Sequence, residues 1–175
     1  VRYQIGNPVR YAFRFVSEHG LDIEDGTKNA IKEKKNGLKS ISRERICSEL
    51  IRTFTGAYSA KALMLMYELD LFSCIFDDIN DEYFVSPSLF GALPENNHLR
   101  LALFFSAFPS EALKSALTSL KLSEKDEAAV KKLISGINTL KSAPFNDIFT
   151  ARRFIRIYGD MTTDVFTLAN ALEID

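Results

Sequence analysis

"SISRERICSELIRTF", residues 40–54, decides the fold class. Ile46, Leu50 and Phe54 recur at four-residue spacing, which lays one apolar stripe along a helix, whereas a strand would alternate. Ser42 stands where a cap belongs, Glu44 puts a negative charge in the first turn, and Gly56 breaks the helix. Arg45 and Glu49, at i and i+4, are spaced to pair along it. Upstream, "GNPVRYAFRFVSEHG" (6–20) enters a helix through Asn7-Pro8 and leaves it at Gly20. Val9, Ala12, Phe13 and Val16 form its apolar stripe, with Arg10, Arg14 and Ser17 on the stripe beside it. Two arginines one turn apart repel unless an anion faces them, either a carboxylate of the same fold or a nucleotide.

The same periodicity runs through the rest of the chain. A second helix is expected from Glu24-Asp25 through Ala30 and Ile31 to a stop at Asn36-Gly37. "YSAKALMLMYELDLF" (58–72) buries a face of Leu63, Met66 and Leu69. The acids, Gly91, Pro87 and Pro94 after residue 76 read as a long connector between two helical layers. Helices resume in "HLRLALFFSAF", "SEALKSALTSLKL" and "SEKDEAAVKKLISGINTL", with Ser110 and Ser123 as N-caps and Asp126 completing a shortened capping box. "APFNDIFTARRFIRIYG" and "DMTTDVFTLANALEI" supply the last two. Nine or so helices, with no convincing strand and no fixed-period repeat, make an all-α multi-helix bundle.

At 175 residues and 46% hydrophobic, the chain fits one domain or two small helical units sharing an interface. A formal charge of -1 and a pI near 6.2 rule out global basicity as a driver of nucleic-acid binding, so any such binding must be local. No apolar run approaches the ~20 residues of a membrane span, and nothing resembles a signal peptide. Cys47 and Cys74 are isolated, which disfavours a disulfide framework or a four-ligand zinc site. A soluble, cytoplasmic protein without a membrane partner is expected.

Catalytic patterns are missing. There is no Walker A loop, GxGxxG or HExxH, and neither His19 nor His98 sits in a nucleophilic setting. Asp77, Asp78, Asp81 and Glu82 lack the spacing and glycine of a calcium loop and read as a solvated acidic segment. The basic residues say more. Lys28, Lys32, Lys34, Lys35, Lys39, Arg43 and Arg45 fall within eighteen residues, opposed there by Glu33 and Glu44. Such a run is either a solvated helix face or a grip on backbone phosphates. Arg152, Arg153 and Arg156 form a smaller cluster, with Arg152 and Arg156 beside Phe149, that either meets the far end of an RNA or pairs with Asp147 and Asp160.

Three segments in order carry a resemblance. "RYQIGNPVRYAFRFVSEHGLDIEDGTKNAI" is similar to the pattern RFxEDxLRxLRAxRFaxxlGfxIxxxTxxAI. "GLKSISRERICSEL" looks like (S/A)xERIxxEL, and "AKALMLMYELDLFSCIF" resembles the leucine-rich helix that follows. The family is the class II tRNA nucleotidyltransferases, the CCA-adding enzymes and related bacterial poly(A) polymerases. The resemblance covers residues 1–76 and fades from residue 95 on. It implies an all-α neck-and-body bundle: a neck-like region over 1–76, a connector over 77–96, and a body- or tail-like region over 97–175. The catalytic head, which in the family uses Mg2+ with CTP or ATP, has no counterpart in the motifs present, so the chain is expected to be inactive alone and to hold no cofactor.

The departures from the family pattern matter too. Where relatives read incoming bases with an EDxxR motif, "GNPVR" offers Asn7 and Arg10, with Arg14 one turn on, as a degraded nucleotide-binding set without the glutamate. "LRLALFFSAFP" resembles the start of an HD phosphohydrolase segment, but Ser106 and Ala107 stand at the metal-ligand positions. By resemblance, Arg45 and Glu49 brace the template helix. Lys28, Lys32, Lys34, Lys35, Lys39, Arg43, Arg152 and Arg156 are the candidate RNA contacts. The expected partners are tRNA or another structured RNA and a nucleotidyltransferase head domain. The alternative is a non-catalytic helical scaffold or protein-interaction module derived from the family.

Overall fold

Helix α3 (Arg43–Thr55) organises the first half, burying Ile46, Cys47, Leu50, Thr53 and Phe54 along one side. The computed structural model describes residues 7–77, 79–142, 145 and 147–174, with the side chains of 7–10 and 81 outside that description. Among the described residues there are helices and no strands. Helix α1 (Asn7–His19) crosses α3 and packs on α4 (Ser59–Glu68) as well. Its Phe13 and Val16 are buried, as the stripe predicts. Gly20 ends it with φ 68°, a left-handed turn that glycine takes without a Cβ clash.

Gly56 does more than break α3. A Cβ there would lie 2.1 Å from the Ser17 hydroxyl and 2.6 Å from the Ser17 carbonyl oxygen. The missing side chain lets the end of α1 sit directly against the α3–α4 turn. Ser17, fully buried, then donates to the Thr53 carbonyl at 2.5 Å, and the Tyr58 amide donates to the Ser17 carbonyl at 2.8 Å.

Three local expectations change. Helix α2 (Asp25–Lys34) does not stop at Asn36-Gly37 but tightens into a 3-10 segment over Lys35–Ser40, whose Leu38 reaches the core. Ser42 occupies the N-cap position of α3 without a side-chain cap bond; its backbone carbonyl accepts from Arg45 and Ile46 instead. The apolar run after Ser59 breaks at Asp70, where φ is 50°, and a single turn, α5 (Phe72–Ile75), follows.

The connector is no slack tether. It holds a 3-10 turn at Asp81–Tyr83 and the short α6 (Leu89–Ala92), and it contributes Phe84, Phe90 and Leu93 to the interior. Phe54 of α3 lies 5.5 Å from Phe90 and 4.8 Å from Phe104 of α7 (Asn97–Phe105), ring centre to ring centre. Phe72 and Phe84 meet the same Phe104 ring, so first half, connector and second half share one aromatic cluster. Arg100 fastens them from inside. Buried, it donates to the carbonyls of Pro94, Phe54 and Leu93 and to the Ser59 hydroxyl.

In the second half, α8 (Ser110–Leu120) and α9 (Glu124–Ser142) follow α7, with Asn96 capping α7 through the His98 and Leu99 amides. Half of the expected Ser123–Asp126 capping box forms: the Asp126 amide donates to the Ser123 hydroxyl, but the Asp126 carboxylate accepts from that same hydroxyl and no bond to it from the Ser123 amide is seen. Helix α10 (Ile148–Tyr158) leads through a 3-10 turn into α11 (Thr162–Ala171). Helix α11 packs on α9 where Gly136 leaves room for Val165; a Cβ on Gly136 would come within 2.6 Å of it. No described helix is long and apolar enough to cross a membrane.

Candidate nucleic-acid interface

The nucleotide-binding set of the sequence reading divides at the edge of the description. Asn7 and Arg10 belong to α1, but their side chains lie outside the described residues. Arg14 is placed. Its guanidinium lies 5.0 Å from the Tyr11 ring centre and 5.1 Å from that of Phe15, within cation–π reach. Glu18 and Glu49 carboxylates stand 3.6 and 3.7 Å away. The anion facing Arg14 is therefore carboxylate from its own fold.

That arrangement corrects the expected pairing within α3. Glu49 turns toward α1 and Arg14, while Arg45 is exposed, and no ion pair joins Arg45 to Glu49 among the described residues. The α1–α3 contact that buries Phe13 draws Glu49 inward, and Arg45, one turn earlier, falls on the solvent side.

The basic run also divides. Lys28 bonds both Glu68 carboxylate oxygens, at 3.2 and 3.3 Å, and Lys35 bonds Asp70 at 2.6 Å. Arg43 donates to the Ile75 carbonyl. These three reach inward, fastening α2, the 3-10 segment and the start of α3 to the α4–α5 region. Lys32, Lys34, Lys39 and Arg45 are exposed and form no ion pair among the described residues. Sequence could not make this division, because Glu68 and Asp70 are some forty positions away.

On α10, the arginines do not pair with the neighbouring acids. Asp147 is occupied as the N-cap, accepting from the Phe149 and Thr150 amides at 2.8 Å each, and these bonds hold its carboxyl below the usual carboxylate range. Arg152, Arg153 and Arg156 are exposed, with no ion pair among the described residues.

A cleft of about 400 Å³ beside α3 is lined by Glu44, Cys47, Ser48, Arg52, Lys121 and Asp126, among others. Burial, with Asp126 adding to it, pushes the Cys47 thiol up to about 11, which favours the neutral thiol at neutral pH. Lys121 is paired with Glu44 at 3.0 Å. His98 Nε2 lies 2.7 Å from Asp126 Oδ1, tying α7 to α9. At the HD-like positions, Ser106 is buried and donates to the Leu103 carbonyl. Among the described residues, no group of three or more His, Cys, Asp or Glu is placed to hold a metal ion.

Residues 20–83 match a family model described as the probable RNA- and SrmB-binding site of polymerase A. A CCA-adding enzyme of Bacillus cytotoxicus is 26% identical over 146 residues, 82% of this chain and 37% of that enzyme. A CCA-adding enzyme of Bacillus cereus (strain AH187) is 43% identical over 60 residues, 34% of this chain and 15% of that enzyme. Among solved structures, the CCA-adding enzyme of Thermotoga maritima, complexed with a tRNA, superposes with a TM-score of 0.63 at 13% identity, covering 95% of this chain and 44% of the other. That likeness concerns the fold. The chain spans less than half the length of these relatives.

Proposed function

We propose, from the premise that the chain is related to the CCA-adding enzymes and poly(A) polymerases, that it is an RNA-binding helical region. It grips a structured RNA, such as tRNA, through backbone phosphates. The supporting observation is the set of exposed cations Lys32, Lys34, Lys39 and Arg45, which form no ion pair among the described residues, within the segment that matches the RNA-binding family model. Each phosphate neutralised releases counterions, and recognition of an A-form helix by shape and backbone needs no base reading. In this reading Lys28, Lys35 and Arg43 set the shape of the face. Nucleotide recognition by the α1 arginines belongs to an assembly with a catalytic head, which would supply Mg2+ and bind CTP or ATP.

The test is tRNA binding by the full chain across about 50 to 200 mM salt, beside a Lys32/Lys34/Lys39→Gln variant. The wild type should lose affinity steeply with salt, and the variant should show a log–log slope shallower by about 2 to 3, near 0.7–0.9 per contact removed. Salt-insensitive binding, or a variant that matches the wild type, would refute the phosphate grip. The result would then favour a protein-interaction scaffold, whose docking surface would include the exposed Leu21, Tyr58 and Met64.

A further inference from the structure

Helix α10 presents to solvent a face that a protein of this size ordinarily hides. Phe149 is 76% exposed, Ile148 60%, Ile155 55% and Ile157 50%. From behind, the helix is fixed: Phe154 is buried, 5.7 Å from Phe166 of α11, and the Tyr158 hydroxyl meets Thr139 of α9 at 2.9 Å. The exposure therefore belongs to an anchored element.

Spacing orders the outward face. Phe149, Arg152, Arg153 and Arg156 stand at i, i+3, i+4 and i+7, which puts one aromatic ring and three arginines on a single stripe two turns long. The helix itself, IFTARRFIRIY, contains no acidic residue, and Asp147 is already spent on the cap. Three like charges at this spacing repel one another until a polyanion lies across them. A flat apolar ring among them fits a partner that is itself flat, apolar on its faces and strung on anions. That describes an unpaired nucleotide: bases stack on aromatic side chains while arginines hold the phosphates or stack themselves.

We propose that α10 is a stacking platform for unpaired nucleotides, in which Phe149 takes the face of a loop or end base and Arg152, Arg153 and Arg156 hold the adjoining phosphates. The proposal rests on the RNA-binding reading above and adds to it a requirement for a single-stranded element, met on a different helix from the α2 lysines.

The chain contains no tryptophan, so Phe149→Trp installs a lone fluorophore at an exposed position. Two probes are titrated into the full chain: an RNA hairpin with an unpaired adenine loop, and a blunt RNA duplex with the same number of phosphates. The hairpin should quench the tryptophan saturably and the duplex should not. Phe149→Ala should weaken hairpin binding, followed by anisotropy of the labelled RNA, about tenfold, within the range for loss of one stacked base. Its salt slope and duplex affinity should stay unchanged. Hairpin binding without quenching, and without an effect of Phe149→Ala, would overturn the platform and leave the phosphate grip standing. Failure of both RNAs to bind would remove the RNA reading and the platform together. Self-association of the wild-type chain that Phe149→Ala abolishes would also overturn it, making α10 a contact between copies.

Discussion

Replacing Arg100 with methionine tests whether the buried guanidinium holds the two halves together. Arg100 makes four hydrogen bonds, at 3.0 Å to Pro94 O and at 2.7 Å to each of Phe54 O, Ser59 Oγ and Leu93 O. Burial works against its charge, holding its pKa below the ordinary arginine value, with Glu95 opposing that shift. Leaving buried acceptors without donors costs about 1–3 kcal/mol each, a gross loss near 6 kcal/mol for this site. About half returns, because methionine requires no charge to be stripped of water. The net expectation is a loss of about 3 kcal/mol, a substantial part of the ~10 kcal/mol typical of a domain. With an m-value near 2 kcal/mol/M, the urea midpoint should fall by about 1.5 M. Arg100→Lys should fare no better, because one ammonium cannot span acceptors that the planar fork reaches together. A loss below about 1 kcal/mol for methionine, or full rescue by lysine, would refute the fastening role.

Other perturbations follow from the same geometry. Gly56→Ala places a Cβ against Ser17 backbone and should cost about 3 kcal/mol or more, since no rotamer change can relieve it; a thermal midpoint within a degree or so of wild type would contradict the close approach. Asp147→Ala removes two capping bonds and should lower stability by about 1 kcal/mol, with faster amide exchange confined to the first turn of α10; unchanged exchange there would count against the cap. Asp126 is held below the usual carboxylate range by its hydrogen bond from His98 and then by Ser123, and Asp70 by Lys35. A carboxylate with a depressed folded pKa stabilises fully above its unfolded value, about 3.9, and loses that contribution as pH falls through the folded one. Melting temperature should therefore drop on acidification below about pH 4. Asp126→Asn should flatten that drop, and an identical acid profile in the variant would remove Asp126 as a contributor.

Helix positions were legible in the sequence wherever apolar spacing was strong. Phe13 and Val16, Ile46 with Leu50 and Phe54, and Leu63 with Met66 and Leu69 all lie on buried faces. The extension of the second helix into a 3-10 segment was not legible, because Asn36-Gly37 is a good local stop that Leu38 overrides by reaching the core. Site residues were harder to judge. Spacing within α3 favours an Arg45–Glu49 pair, but Glu49 answers to Arg14, thirty-five positions earlier. Nor does local charge density reveal that Lys28, Lys35 and Arg43 are tied to Glu68, Asp70 and Ile75. Partners so distant in sequence are decided by packing. The exposure of Phe149 was hidden for the converse reason: an amphipathic pattern tells that one face is buried, not how much apolar surface the other keeps.

The shared ring cluster around Phe104 has a mechanical consequence. Phe54 of α3, Phe72 of α5 and Phe84 of the connector all bear on the Phe104 ring of α7, and Phe90 bears on Phe54. None of these elements can loosen by itself: an opening at Phe104 takes contacts from three of them at once, so they should exchange their amide protons as one cooperative unit.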